Sequence, residues 1–141
     1  MTAIATIEHI NPAGLISNPA FSQVVTVAGP GRTVHVGGQN AVTAAGELIG
    51  EGDVGAQADQ VFANLRAALA AAGAELHHVV KWTIYVVDGH DIVPGFAAYQ
   101  RAWGDRPDPP VITVAKVAGL AHPAALVEVE ATAVVPLDAG A

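Results

Sequence analysis

The segment from Leu126 to Val135 alternates between two kinds of side chain, and it restricts the fold more than any other part of the chain. Successive residues of a strand point to opposite faces. One face carries Glu128, Glu130 and Thr132, and the other carries only Val and Ala. A carboxylate is costly to bury without a partner. The pattern therefore predicts a strand with one face in the core and the other open to water or to a site.

Composition bounds the partners of the chain. Its 141 residues predict one domain, residues 1–141. Hydrophobic residues make up 52% and charged residues 13%, well below the usual quarter. So few charges would cover a monomer poorly, which favours a self-associating oligomer. The net charge of −7, with six Lys and Arg scattered along the chain, argues against nucleic acid as a partner.

Several classes of protein are disfavoured by what the sequence lacks. The absence of cysteine excludes disulfides and thiolate chemistry. No run approaches 18 apolar residues, and the first residues lack the basic and apolar regions of a signal peptide. We therefore expect no membrane partner and a cytoplasmic location.

Two segments have the apolar spacing and end signals of helices. Asp53 can cap a helix whose apolar residues recur at helical spacing up to Gly73, a natural C-terminal residue. Asp91 can cap a second helix, with Pro94 in its first turn and Gly104 at its end. The second helix carries an apolar stripe that we interpret as core: Ile92, Phe96, Tyr99 and Trp103.

The remaining apolar runs read as strands. Met1–Ile10 predicts a first strand, and Phe21–Ala28 and Arg32–Val36 flank the turn signal Gly29-Pro-Gly, which favours a hairpin. Val79–Val87 predicts a central strand covered on both faces, and residues 111–117 predict a further strand. The order of elements indicates an α+β domain with a mixed sheet and both helices on one face.

Chemical motifs leave few options. Neither Ser17 nor Ser22 sits in a nucleophile turn, and the six histidines lack the spacing of metal ligands, so we expect no metal and no cofactor. His77 and His78 would face opposite sides of a strand. Two alternatives stay open for Glu128 and Glu130, a proton-transfer site or two solvated carboxylates.

Two adjacent glycines allow a binding pocket without chemistry. Gly37 and Gly38 favour either a bulge at a strand end or a close approach of a ligand to the backbone. The backbone of this pair, Gln39 and aromatic walls could together form a pocket.

The ordered motifs together resemble the RidA (YjgF-like, endoribonuclease L-PSP) family. The resemblance rests on six segments in order: Phe21-Ser-Gln23, Val36-Gly-Gly-Gln39, Gln57–Gly73, Val79–Asp88, Tyr99–Trp103 and Val127-Glu-Val-Glu-Ala131. It implies a chorismate-mutase-like α+β fold, assembled as a homotrimer with ligand clefts between subunits. In active members that cleft hydrolyses 2-imino or enamine acids to 2-oxo acids and ammonia.

The resemblance also implies site residues. Glu130 corresponds to a cleft glutamate that positions water or moves a proton, and the substrate-binding positions are Phe21, Gly37, Gly38, Gln39, Tyr99 and Ile112. Ile112, or Val111 in the neighbouring register, stands where the family has an arginine that holds the substrate carboxylate. Phe21 and Gly37 replace a common tyrosine and a common serine or threonine.

Three functional hypotheses follow. The first is an arginine-lacking RidA-like homotrimer that binds a small uncharged or apolar metabolite, with hydrolysis through Glu130 left open. The second keeps imine deamination, with Lys116 or Arg106 of a neighbouring subunit replacing the arginine and Arg101 as a further candidate. The third is a non-catalytic binding or chaperone-like trimer.

Overall fold

The computed structural model describes residues 4–137 of the chain. The strands are β1 (Thr6–Ile10), β2 (Val24–Ala28), β3 (Gly31–Gln39), β4 (Val79–Val87), β5 (Val111–Val117) and β6 (Val127–Pro136). The helices are α1 (Val54–Ala71) and α2 (Val93–Trp103), and a turn of 3-10 helix, Leu76–His78, leads into β4.

Strand β6 lies inside a four-stranded sheet of order β3-β6-β4-β5. It pairs antiparallel with both β3 and β4, whereas β4 and β5 are parallel and are joined through α2. Strands β1 and β2 form a separate antiparallel ribbon. The chain therefore has the predicted α+β architecture with a mixed sheet.

The predicted hairpin of β2 and β3 is wrong. Gly29, with φ of 93°, does turn the chain between the two strands. However, Ala28 pairs with Thr6 of β1, and Gly31 pairs with Pro136 of β6, so the turn joins two different sheets. The strands of the ribbon are also shorter than predicted, β2 beginning at Val24 rather than at residue 21, and residues 1–3 of the predicted first strand lie outside the described range.

The ends of helix α1 follow the sequence signals. The Asp53 carboxylate accepts a hydrogen bond of 3.0 Å from the Ala56 N–H, and Gly73 adopts the left-handed conformation with φ of 73°. Val61 and Leu65 on its inner face are completely buried. The prediction of a capped packing helix is confirmed.

Helix α2 ends where its signal places it but begins one residue later than predicted, with Ile92 rather than Asp91 at the N-cap. The Asp91 carboxylate accepts from the Val93 N–H at 3.0 Å, Pro94 lies in the first turn, and Gly104 ends the helix with φ of 66°. Helix α2 packs against α1, and buried residues of both helices belong to one core.

The aromatic stripe of α2 is only partly core. Tyr99 and Trp103 are buried, as the spacing predicts. Ile92, at the N-cap, and Phe96, in the first turn, are 40% and 47% exposed. The interpretation of the whole stripe as core is therefore wrong for its N-terminal half.

The two faces of the sheet differ as the alternation in β6 predicts. Val129 and Ala133 are buried beneath the helices, whereas Glu128 is half-buried and Glu130 is exposed on the other face. We call these the helix face and the open face of the sheet.

Strand β4 is covered on one face only, which corrects the prediction for this strand. Trp82 and Val86 are buried on the helix face. On the open face Lys81 is exposed, and Thr83 and Tyr85 are half-buried.

His77 and His78 lie in the 3-10 turn rather than in a strand, so the prediction that they face opposite ways is wrong. Their ring centroids are 4.0 Å apart. Burial lowers the pKa of His78, and its Nδ1 accepts from the Glu75 N–H at 2.9 Å. Within residues 4–137, no three His, Asp or Glu side chains are grouped as metal ligands.

Neither helix between residues 4 and 137 has the length and hydropathy needed to span a lipid bilayer.

Candidate functional site

An apolar cavity of about 230 Å³ lies on the helix face of the sheet, between α2 and strands β4 and β5. Its wall includes Phe21, Phe62, Ile84, Phe96, Tyr99 and Ile112. None of the described residues that line the cavity carries a charge, and its polar side chains are those of Asn18 and Tyr99.

Hydrogen bonds hold the loop that closes this cavity. The Tyr99 hydroxyl donates to the Ala20 carbonyl at 3.0 Å, which fixes the loop to α2. On the other side, the Ser22 N–H donates to the Pro110 carbonyl at 3.1 Å, and the Ser22 hydroxyl donates to the Pro109 carbonyl. Phe21, between these anchors, is thereby held in the cavity wall.

The Tyr99 hydroxyl is a donor and not a base at neutral pH. Burial raises the pKa of Tyr99 to about 12. The Trp82 indole N–H is itself fully buried and has no hydrogen-bond partner among residues 4–137. The Tyr99 hydroxyl therefore stays protonated at neutral pH, and its hydrogen bond to the Ala20 carbonyl fixes this part of the cavity wall.

A second depression, of about 250 Å³, lies on the open face of the sheet. Its lining residues include His35, Gly37, Lys81, Thr83, Glu130 and Thr132. Strand register brings them together, because Thr132 pairs with both His35 and Lys81, and Glu130 pairs with Thr83. We call this the Glu130 depression.

Sequence reasoning missed His35 and Lys81 as members of this group. A signal was present in β4, where Lys81, Thr83 and Tyr85 alternate with apolar residues and so mark a polar face. The prediction that β4 is covered on both faces ignored this alternation.

Gly37 and Gly38 form the predicted bulge in β3. The pairing of β3 with β6 shifts register between Val36 and Gln39. A Cβ at Gly38 would lie 2.8 Å from the Glu128 side chain, so the missing side chain lets that carboxylate cross the bulge. Gln39 folds back and donates to the Gly37 carbonyl at 3.1 Å.

The predicted site residues occupy two separate places. Phe21, Tyr99 and Ile112 line the cavity, whereas Gly37 and Glu130 line the depression. The sheet lies between the two groups, so one chain does not form a single cleft from all of them.

Ile112 and Glu130 face opposite sides of the sheet. Ile112 pairs with Trp82 on the helix face, and Glu130 pairs with Thr83 on the open face. One chain therefore does not bring Ile112 and Glu130 together, and the hypothesis that both belong to a cleft between subunits stays a prediction. Val111 pairs with Lys81, and of the two candidate positions it is the one that shares a face with Glu130.

The three cations considered as substitutes for the arginine lie elsewhere in the described chain. Lys116 pairs with Val86 and is on the helix face. Arg101 forms an ion pair with Asp59 at 2.9 Å. Arg106 donates to the carbonyls at the end of α2.

Comparison with known proteins identifies the family. Residues 15–135 match the family model described as endoribonuclease L-PSP. The chain belongs to this family. Protein DfrA of Myxococcus xanthus is 35% identical over 114 residues, which are 81% of this chain and 84% of DfrA. A RutC family protein of Synechocystis is 38% identical over 92 residues, 63% of this chain and 67% of that protein.

Solved structures of related proteins agree with this L-PSP family assignment. A Rid family protein of unknown function, YyfB from Yersinia pestis, has a TM-score of 0.74 at 35% identity, covering 90% of this chain and 97% of YyfB. RidA from an Antarctic Psychrobacter has a TM-score of 0.66 at 27% identity, covering 81% and 89% respectively. The resemblance to the RidA family and the predicted fold are thus confirmed.

Proposed function

We propose that this L-PSP family protein is a homotrimer that binds a small, uncharged and largely apolar molecule in the cavity on its helix face. The main support for this proposal is that no residue known to line the cavity is charged. A carboxylate placed there would lose its hydration without meeting a cation, which is strongly unfavourable. The side chains of Phe21, Tyr99 and Ile112 supply the apolar contacts.

Exposed apolar groups support the self-association. The β1–β2 ribbon exposes three apolar side chains: Ile10 at 40%, Val24 at 39% and Val27 at 43% of their surface. A two-stranded ribbon is marginally stable by itself in water, so a second copy of the chain is a suitable cover for it. Phe96 and Val114, 47% and 52% exposed, lie at the cavity and would meet a neighbouring subunit at its mouth.

Light scattering after size exclusion tests the assembly. We expect the mass of three chains over a wide range of protein concentrations. A monomer at micromolar concentration would contradict the proposed trimer, although not the ligand class.

Calorimetry with a matched pair of compounds tests the ligand class. Phenylacetamide and phenylacetate share a skeleton and differ in charge, and we expect binding of the amide alone. Val114→Trp should weaken that binding by narrowing the cavity, whereas Val93→Trp, at an exposed position outside the cavity wall, should not. Equal or tighter binding of phenylacetate would refute the proposal.

The Glu130 depression favours a second candidate function, hydrolysis of a 2-imino acid. Lys81 would hold the substrate carboxylate as a point charge, and Glu130 would take a proton from the attacking water. Water adds to the C=N carbon, and the proton that Glu130 takes from it passes to the nitrogen. The new hydroxyl group then loses its proton as the C–N bond breaks, and the products are a 2-oxo acid and ammonia. His35 completes the polar wall.

Incubation with 2-iminobutanoate generated in situ tests this second candidate. Formation of 2-oxobutanoate is expected, with loss in Glu130→Gln and in Lys81→Met but not in Glu47→Gln, which alters an exposed loop. Ligand binding in the cavity without any turnover would leave the non-catalytic trimer as the function.

A further inference from the structure

We propose that the ligand of the cavity carries a carbonyl oxygen, which accepts a hydrogen bond from the side-chain amide of Asn18. This inference rests on the proposed binding of an uncharged molecule in the cavity and adds the chemical class of that molecule. Asn18 and Tyr99 supply the polar side chains among the described residues that line the cavity. The hydrogen bonds that these two residues make within the chain decide which polar group remains for a ligand.

Both oxygen atoms of Asn18 are engaged within its own loop. The Oδ1 atom accepts a hydrogen bond from the Ala20 N–H at 2.8 Å, and the Asn18 carbonyl accepts one from the Phe21 N–H at 3.3 Å. Because the Ala20 N–H needs an acceptor, the first contact fixes which corner of the side-chain amide is the oxygen. The other corner, Nδ2, makes no hydrogen bond with residues 4–137, so its two N–H groups are left for a ligand.

The other polar side chain of the wall is already engaged. The Tyr99 hydroxyl donates its hydrogen to the Ala20 carbonyl at 3.0 Å. Among the side chains of the described lining residues, the Asn18 amide is therefore the donor without a partner. A carbonyl oxygen of a ketone, ester or amide complements this donor, and it brings no charge into the cavity.

The loop holds this donor in place before a ligand arrives. Ala20 is fixed from two directions, because its N–H donates to Asn18 and its carbonyl accepts from Tyr99 of α2. Two residues later, the Ser22 N–H donates to the Pro110 carbonyl at 3.1 Å, which ties the loop to the start of β5. A donor that is already positioned loses little conformational freedom on binding, which favours a directed hydrogen bond.

The rest of the wall restricts where the carbonyl can lie. The side chains of Ile84, Val86 and Ile112 line the cavity and offer no hydrogen bond. A carbonyl placed against them would lose its hydration without gaining a partner. Asn18 is exposed, so its end of the cavity is the end open to solvent. We expect the carbonyl of the ligand at this end and its apolar part against the isoleucines.

Calorimetry with acetophenone and cumene tests the inference on the full chain. The two compounds share a branched skeleton on a benzene ring, and a methyl group of cumene replaces the carbonyl oxygen of acetophenone. Asn18→Asp keeps an oxygen for the Ala20 N–H but has no N–H to donate. We expect this variant to bind acetophenone about twofold to tenfold more weakly, as the loss of one hydrogen bond allows, and to bind cumene as before.

Asn11→Asp is the matched control. The Asn11 Oδ1 accepts a hydrogen bond from the Gln23 N–H at 2.9 Å, so this variant makes the same chemical change at the same kind of contact. Asn11 is not among the residues known to line the cavity. We therefore expect the control to leave the affinity for both compounds unchanged.

The outcomes separate this inference from the proposed function. If both compounds bind and Asn18→Asp changes neither affinity, the carbonyl assignment alone is overturned. An equal loss for the two compounds also overturns it, because Asn18 would then hold the wall rather than the ligand. The same holds if Asn11→Asp weakens acetophenone as much as Asn18→Asp does, since the added charge would explain the loss. Failure of acetophenone, cumene and phenylacetamide to bind overturns the proposed function together with the inference.

Discussion

Replacing Gln57 by Met should destabilise the protein more than any other single polar substitution in α1. The Gln57 side chain is completely buried and makes three hydrogen bonds to loops. Its Nε2 donates to the carbonyls of Gly50 and Ala124 at 3.1 and 3.0 Å, and its Oε1 accepts from the Leu126 N–H at 2.7 Å. Through these contacts one side chain fixes the loop before α1 and the entry to β6.

The size of the effect follows from the groups left without partners. Met has nearly the same length as Gln and fills the space, so the substitution leaves no large cavity. It strands the Leu126 N–H and the Ala124 carbonyl, each unsatisfied group costing about 1–3 kcal/mol. The Gly50 carbonyl keeps the hydrogen bond that it accepts from the Asp53 N–H at 2.9 Å. Taking the low end for each stranded group, we expect a loss of about 2 kcal/mol in the free energy of unfolding. For a chain of this size that corresponds to a fall of roughly 6 °C in Tm.

Urea unfolding at one fixed protein concentration measures this loss, since self-association makes apparent stability depend on concentration. Gln60→Met is the control, because Gln60 is half-buried and makes one side-chain hydrogen bond, to Asn64 at 2.9 Å. We expect less than about 1 kcal/mol for the control. A Gln57→Met variant as stable as the control would refute the reasoning that these three hydrogen bonds hold the loops.

Three further substitutions give distinct outcomes. Gly50→Ala should lower the free energy of unfolding, measured in urea, by at least about 1 kcal/mol more than Gly46→Ala. Both glycines have positive φ, of 78° and 83°, so the backbone strain is the same in the two variants. Only at Gly50 would the new Cβ meet another atom, the Ala56 Cβ at 2.8 Å. Asp53→Ala should lower stability by about 1 kcal/mol through loss of the cap of α1, and Asp53→Ser should restore most of it. Because burial raises the pKa of Tyr99 to about 12, the unfolded state loses that proton first, so stability should fall between the normal tyrosine range and pH 12. Tyr99→Phe should remove this part of the alkaline decline in thermal unfolding, and an unchanged decline would contradict it.

The elements with local signals were predictable from the sequence. The alternation in β6 identifies its buried face correctly, because Val129 and Ala133 lie in the core and Glu130 does not. Asp53 and Gly73 mark the ends of α1, since capping depends on residues within one turn.

Strand partners were not predictable in the same way. The turn at Gly29 looks like a hairpin, yet β3 pairs with β6, about a hundred residues further along the chain. Turn residues change the direction of the chain without choosing its partner. That choice depends on which strands can bury their apolar faces together.

The candidate sites required the register of the sheet. Ile112 and Glu130 both lie in segments that were correctly predicted as strands. However, a shift of one residue in the pairing of a strand moves each side chain to the other face of the sheet. Only the pairing of Ile112 with Trp82 and of Glu130 with Thr83 separates the cavity from the depression. The same register places Lys81 in the same depression as Glu130, which no spacing along the chain could indicate.

The inner position of β6 has a consequence for the nascent chain. A ribosome synthesises β3 and β4 well before β6, yet these two strands meet only through β6. Until that segment has left the exit tunnel, the strands on either side of the gap expose unpaired backbone and apolar surface. Assembly of the sheet must therefore wait for β6, and this interval is when the emerging polypeptide is most open to aggregation and to capture by chaperones.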